Sequence, residues 1–235
     1  MAELATLRSL EPIVRPSVAD TVFEELHRQI VALDLPPGAK LSEVEVARAL
    51  GVSRQPVRDA FYRLSKLGFM TIRPQRATIV APISETMVEQ ARFIRLAIEA
   101  ETVRLACEKM TPERMAALAE LIARQRAAVA ADDRKGFHAL DDAFHRELCA
   151  AAGQAHAWEV IRENKSHMDR VRLLSLAFAS HEAVEDHQRI MDAVAARDAD
   201  RAAEEMRRHL SRLKLQIRRI RAEQEAFFEG PPGDG

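Results

Sequence analysis

Hydrophobic residues follow two different patterns along the chain, and the change falls near residue 82. Before it, short apolar segments alternate with turn residues, and seven of the ten prolines lie there. From 83 to 229, apolar residues recur every three or four positions with one proline and two glycines to interrupt them, which is typical of long helices. The pattern predicts four segments: an N-terminal extension (1–17), a domain of short elements (18–82), an all-α antiparallel bundle (83–229) and a flexible tail (230–235).

The first domain has the pattern of a helix-turn-helix followed by a wing. Apolar positions between 18 and 33 have helical spacing, and two more short helices are predicted after Ser42 and Ser53, both good N-cap residues. Gly51 suits a left-handed turn between these two helices. Two β-prone stretches around a polar tip predict a small two-stranded wing: 69–73 and 78–80.

The second helix of this pair carries side chains suited to the major groove of DNA. Its apolar stripe leaves polar or aromatic residues at its margin: Arg54, Gln55, Arg58 and Tyr62. Arginine and glutamine donate paired hydrogen bonds to base edges, and a helix N-terminus attracts phosphate. Although the net charge is −1, eight basic residues stand against three acidic ones between 40 and 76. The residue pattern alone leaves both DNA binding and plain helix packing open.

Residues 18–80 resemble the winged helix of the GntR family of bacterial transcription regulators. The segment PPGAKLSEVEVARALGVSRQPVRDAFYRLSKLGFM is similar to that family's signature almost throughout. The resemblance implies a wing tip in the minor groove and a set of operator-contacting residues: Ser53, Arg54, Gln55, Arg58 and Arg76. Two residues depart from the family pattern at these contacts: Val44 replaces a basic residue and Ala77 replaces a glycine.

Six helices are predicted in the second part, with breaks marked by single prolines or glycines where these occur: 84–109, 111–131, 133–152, 155–179, 180–197 and 199–228. Three of these helices carry ionisable side chains within or beside an apolar stripe, where burial is costly unless the group has a partner. The residues concerned are Asp141, His145, His187 and His209.

One carboxylate and three imidazoles form a suitable ligand set for a divalent cation such as zinc, nickel or manganese. Asp141 and His145 lie four residues apart, so they share one helix face. Each histidine taken alone is more often a hydrogen-bonded core residue. His138 and Asp142 on the same helix leave the ligand set open on spacing alone.

Residues 88–210 resemble the FCD ligand-binding domain that follows the winged helix in GntR regulators of the FadR subfamily. Similar segments include LDDAFHRELCAAAG and EDHQRIMDAVAARDADRAAEEMRRHL. In many such domains the matching positions hold a divalent metal. The resemblance therefore implies that the ligands are Asp141, His145, His187 and His209.

Polar residues of the bundle also suggest a binding site for an organic acid. Arg95 lies in an apolar stripe, and Asn164 and Arg172 share a predicted helix face, so the three predict a pocket beside the metal. An internal ion pair with Glu99 is the alternative for Arg95. The family resemblance implies a small carboxylate metabolite as the effector.

Composition fits a globular protein, with 47% hydrophobic and 30% charged residues, and no apolar run reaches the ~18 residues that span a bilayer. No secretory signal is recognisable, so we expect a cytoplasmic protein without a membrane partner. The sequence predicts a homodimeric, ligand-responsive regulator of operator DNA rather than an enzyme. Alternatives are an adaptor with a purely structural metal and, less favoured because no general base accompanies the ligands, a metal-dependent hydrolase.

Overall fold

The computed structural model describes residues 16–72 and 77–230. The first part is a winged helix-turn-helix, as predicted, with these elements: α1 (Val18–Val31), β1 (Lys40–Leu41), α2 (Glu43–Leu50), α3 (Arg54–Lys66), β2 (Met70–Thr71) and β3 (Thr78–Val80). The sheet has three antiparallel strands in the order β1-β3-β2, so the wing gains a strand that the sequence pattern did not predict. Backbone pairing places Ile79 between Lys40 and Thr71.

Local signals in the sequence explain where the winged-helix elements begin and end. Ser17 and Asp20 form a reciprocal capping box that starts α1. Gly51 has a φ of 66° and ends α2 in the left-handed conformation, as predicted. Ser42 and Ser53 do occupy N-cap positions, but neither side chain makes a capping hydrogen bond. The hydroxyl of Ser53 is therefore free of any helix-capping role.

Seven α-helices build the second part within the described residues: α4 (Glu85–Lys109), α5 (Pro112–Ala130), α6 (Arg134–Ala151), α7 (Ala155–Asn164), α8 (Ser166–Ala195), α9 (Ala199–Ser211) and α10 (Leu213–Glu223). The predicted break between 179 and 180 is absent, and the chain instead breaks at Lys165. The predicted last helix also divides, at Arg212. No proline or glycine lies between 154 and 229, so periodicity alone could not place these breaks.

Helix α8 joins the two parts. Near its start the His167 ring stacks on Phe69 with centroids 4.1 Å apart, and its Nε2 lies 2.8 Å from the carbonyl oxygen of Leu67. One turn later Arg170 donates a hydrogen bond to the carbonyl oxygen of Ala81 at 2.8 Å. Both side chains are buried, so the winged helix and the bundle share a packed junction. Within the described part of the chain, no helix combines the length and apolar character needed to cross a membrane.

Candidate DNA-reading surface and metal centre

The start of α3 presents the predicted DNA-reading side chains to solvent. Arg54 and Arg58 lie one turn apart, with side chains 60% and 57% exposed, while Val57 and Phe61 on the opposite face are buried. Gln55 bonds to Asp59 at 2.9 Å on the exposed surface. The first turn of α3 has no acidic residue, so its free N–H groups remain attractive to phosphate.

A carboxylate on α2 organises the two arginines. Glu43 lies 3.2 Å from Arg54 and 3.3 Å from Arg58, and these guanidinium groups, that of Arg58 first, hold the pKa of Glu43 below its ordinary value. Exposed ion pairs of this kind contribute little to stability. Their effect is to fix the direction of two side chains on one surface. Arg76 lies outside the described residues.

The four predicted metal ligands converge in the bundle. Each offers one ligand atom, all within 4.8 Å of one another, and all four side chains are buried. Asp141 Oδ1 lies 3.4 Å from His187 Nε2, and Asp141 Oδ2 lies 3.8 Å from His145 Nε2. The rings of His187 and His209 are 4.7 Å apart between centroids. Helices α6, α8 and α9 therefore supply one compact donor set.

Each imidazole is oriented by a second side chain at its Nδ1 atom. His187 Nδ1 lies 2.7 Å from Gln125 Oε1, and His209 Nδ1 lies 3.4 Å from Asp186 Oδ2. His145 Nδ1 contacts Glu99. Because the oxygens of Gln125 and Asp186 accept hydrogen bonds, they favour a proton on Nδ1 and a lone pair on Nε2 of His187 and His209. Metal-binding histidines are commonly oriented in this way.

The donor set fits a divalent cation. Within the described residues, His145 Nε2, His187 Nε2 and Asp141 Oδ2 are buried and have no hydrogen-bond partner. Such atoms are costly to bury unless a ligand satisfies them. Burial lowers the pKa of His187 well below its ordinary value, which keeps the imidazole neutral as metal binding requires. Burial alone would raise the pKa of Asp141, but Arg172 and the neighbouring histidines hold it well below.

The predicted effector residues separate into two groups. Arg172 contacts Asp141, and Arg95 is fully buried with its Nε 2.5 Å from Glu99 Oε1. The ion pair with Glu99 therefore forms, yet both terminal nitrogens of Arg95 lack a hydrogen-bond partner among the described residues. The structure does not bring Asn164 to the metal centre. It is exposed at the end of α7, on a different helix from Arg172, and bonds to the carbonyl of Val160.

A cavity of about 30 Å³ lies beside the centre, between α8, α9 and α10. Its lining residues include Arg172, Ser175, His209, Arg212 and Gln216. Arg212 is held by Asp186, with Nε 2.6 Å from Oδ2. A space of this size holds about two water molecules.

Sequence reasoning missed the residues that surround the ligands. Gln125 interrupts an apolar stripe of α5 formed by Leu118 and Ile122, and this polar position was the available signal. Asp186 directly precedes His187 and gave none, because its contact with His209 depends on how α8 packs against α9. His167 stands in the junction with the winged helix, which no pattern within the bundle reveals.

Comparisons with known proteins agree with the two parts. Residues 18–80 match the family described as bacterial regulatory proteins, gntR family, and residues 90–212 match the FCD domain. The chain is 36% identical over 213 residues to the HTH-type transcriptional repressor RspR of Escherichia coli (strain K12), covering 90% of this chain and 93% of that protein. It is 30% identical over 205 residues to the probable D-xylose utilization operon transcriptional repressor of Paenarthrobacter nicotinovorans, covering 85% and 88%.

Solved structures are similar as well. The E. coli McbR/YncC structure superposes with a TM-score of 0.67 at 25% identity, over 86% of this chain and 100% of that one. A GntR regulator from Rhodococcus sp. RHA1 gives a TM-score of 0.66 at 22% identity, over 87% and 98%, and so supports the fold alone.

Proposed function

This chain belongs to the GntR family of bacterial regulatory proteins and carries an FCD domain, and from that premise we propose that a metal-bound organic acid controls its affinity for operator DNA. As a member of this family it is a DNA-binding transcriptional regulator and not an enzyme. The observation that carries the proposal is the buried donor set of α6, α8 and α9, connected by α8 to the winged helix.

Operator recognition is assigned to the start of α3 and to the wing tip. Ser53, Arg54, Gln55 and Arg58 stand on one exposed surface, and Arg76 is proposed as the contact from the wing. Good paired contacts to a base are worth about 1–3 kcal/mol each. Replacing Arg54 and Arg58 by alanine should weaken specific binding at least thirtyfold, since ~1.4 kcal/mol corresponds to tenfold.

The DNA experiment is a fluorescence-anisotropy titration with a fragment from upstream of the gene, at several salt concentrations. Arg124→Ala with Arg126→Ala is the matched control, because it removes the same charge from two exposed positions of α5. The control should bind as the wild type does. Equal affinity of the Arg54→Ala/Arg58→Ala variant would refute the assignment.

The metal assignment names Asp141, His145, His187 and His209 as ligands of zinc, nickel or manganese. When bound, the cation supplies a positive centre with positions open to a carboxylate. Replacing His187 and His209 together by alanine should remove the metal, measured by elemental analysis after dialysis. A control with the exposed His156 and His181 replaced should retain it.

The effector is proposed to be a small organic acid whose carboxylate bridges the cation and an arginine. Arg95 supports this because two of its nitrogens are buried without a partner, and Arg172 stands beside Asp141. Calorimetry with acetate, succinate and citrate tests it on the metal-loaded protein. Arg95→Met should lose the heat of binding, whereas Arg92→Met, one turn earlier, should keep it. Undiminished binding by Arg95→Met would leave only the ion pair with Glu99.

A homodimer is the proposed assembly, because two recognition helices must reach half-sites about one turn of DNA apart. Phe93 on α4 supports it, since this side chain is 66% exposed beside Leu96 and Ala97. Repression is the proposed direction of control, in keeping with the relatives that are named repressors.

The small cavity favours a second candidate, a DNA-binding adaptor with a purely structural metal. Its volume of about 30 Å³ admits little more than the metal's own water ligands. The two candidates differ in the calorimetry, because the adaptor would bind none of the three acids. They also differ in DNA binding, which the acids would leave unchanged.

A further inference from the structure

A second group of metal-type side chains lies outside the centre described above. His138 and Asp142 of α6 and Asp169 of α8 offer ligand atoms within 4.8 Å of one another. All three line a cavity of about 720 Å³ between the bundle and the winged helix. Leu67 and Phe69 of the winged helix line the same cavity, so this group belongs to the junction of the two parts.

The charge of this group is only partly neutralised. Lys165 lies between the carboxylates, with Nζ 2.9 Å from Asp142 and 2.5 Å from Asp169. One ammonium thus faces two carboxylates, and the net charge of the three groups is −1. The Asp169 side chain is 5% exposed, yet its Oδ1 has no hydrogen-bond partner in the described part of the chain. Asp142 Oδ1 and His138 Nδ1 also have no hydrogen-bond partner among the described residues.

Partner-free oxygens in a buried ion pair indicate room for a further donor or ligand. A buried carboxylate oxygen without a donor is costly, and additional hydrogen bonds are what make buried ion pairs favourable. The unsatisfied Oδ1 of Asp169 lies 3.9 Å from His138 Nε2, a separation too long for a hydrogen bond but suitable for two ligands of one ion. The group therefore has the donors of a cation site.

We infer that His138, Asp142 and Asp169 form a second divalent-cation site, in which the cation displaces the ammonium of Lys165 into the neighbouring cavity. One imidazole and two carboxylates suit zinc or manganese. A cation with two charges neutralises both carboxylates, whereas Lys165 neutralises one. The adjacent cavity has room both for the displaced side chain and for water ligands on the metal.

Lys165 also connects this site to the junction with the winged helix. It is the residue at which α7 gives way to α8, and His167, two residues later, holds Leu67 and Phe69. Moving Lys165 therefore acts on the start of α8, where the two parts meet. Its ammonium also lies 5.9 Å from the ring of Trp158, the one tryptophan in the sequence. Displacement of Lys165 should change the emission of Trp158.

Zinc alone is the probe, because this ion has a filled d shell and is redox-inactive. Metal-free full-length protein is titrated with Zn²⁺ by calorimetry while Trp158 emission is recorded. We expect two equivalents in the wild type and one in His138→Ala/Asp169→Asn, which also loses the emission change. His187→Ala/His209→Ala should bind one equivalent and keep that change. His181→Ala/Asp192→Asn, altered at exposed positions, should match the wild type.

Lys165→Met provides the sharper test, because it removes the competing charge. If a cation replaces Lys165, this variant should bind zinc at the second site at least about tenfold more tightly, since it leaves two carboxylates without a counter-charge. Asp142→Asn at a partly exposed position covers the case in which Asp169→Asn does not fold, and it should weaken the same step. The inference is overturned if His138→Ala/Asp169→Asn and Asp142→Asn leave the stoichiometry and the emission change intact, or if Lys165→Met leaves zinc affinity unchanged.

Discussion

Replacing Gln125 by leucine should weaken metal binding without removing a ligand. Gln125 Nε2 donates to the carbonyl of Leu140 at 3.1 Å, which turns its Oε1 toward His187 Nδ1 at 2.7 Å. The amide oxygen therefore accepts a hydrogen bond from the Nδ1–H group of His187, which leaves the lone pair of Nε2 facing the cluster. Leucine has a similar volume but accepts nothing, so the imidazole loses the contact that fixes both its orientation and its tautomer.

The expected loss is tenfold to a hundredfold in affinity. Removing the partner that orients a metal-bound histidine costs about that much, which corresponds to ~1.4–2.8 kcal/mol. In the metal-free protein, the buried Nδ1–H of His187 loses its acceptor, and the free energy of unfolding should fall by about 1–3 kcal/mol. Competition with a chromophoric chelator gives the affinity for Zn²⁺, and urea unfolding of the metal-free chain gives the stability.

Gln188→Leu is the matched control. This glutamine directly follows His187, but its side chain bonds to Arg126 and Asp192 at the surface. It should leave both zinc affinity and stability near wild type. If folded Gln125→Leu protein competes for zinc as well as the wild type does, the contact with Gln125 does not orient a metal ligand and the assignment of His187 is unsound.

Three further outcomes are expected. Phe144→Ala should lower the free energy of unfolding by about 3–5 kcal/mol in urea titrations, because this fully buried ring stacks on His187 with centroids 4.3 Å apart; a loss below about 1 kcal/mol would contradict this packing. Phe93→Asp should convert the proposed homodimer to monomers in analytical ultracentrifugation, and a variant that sediments as a dimer would refute the role of Phe93. Burial lowers the folded-state pKa of His187 below 6.5, so the unfolded chain takes up the proton first. The contribution of His187 to the stability of the metal-free protein should therefore be constant above about pH 7 and be lost progressively below about pH 6.5 in urea titrations. A pH profile that His187→Phe leaves unchanged would refute this cause.

The winged helix was the more predictable part because its determinants are local. Gly51 ends α2 in the left-handed conformation, and the apolar stripe of α3, including Val57 and Phe61, faces the core. The third strand was not predictable in the same way. A strand of two residues, Lys40–Leu41, has no period of its own and exists only through its pairing with β3.

The metal candidates in the bundle could be recognised because each lies within or beside an apolar stripe, a signal that survives errors in helix boundaries. Spacing placed Asp141 and His145 on one helix face, but it left His138 and Asp142 as alternatives, and the family resemblance chose between them. The contacts of Gln125, Glu99 and Asp186 with the histidines depend on how helices pack, and one sequence does not specify that packing.

The prediction for Asn164 was wrong because a helix boundary was misplaced. It shared a face with Arg172 only as long as one helix was assumed to run through Lys165.

The continuity of α8 through residues 179 and 180, where a break was predicted, matters for the proposed control of DNA binding. With a break near 180, Arg172 and His187 would stand on separate helices, and a change at the metal would have no direct route to the winged helix. Because α8 is continuous from Ser166 to Ala195, one uninterrupted helix spans the ~30 Å from His187 to His167. A ligand that favours one position of this helix at its far end must favour one position of the junction as well, since coupling requires only such a difference between two arrangements.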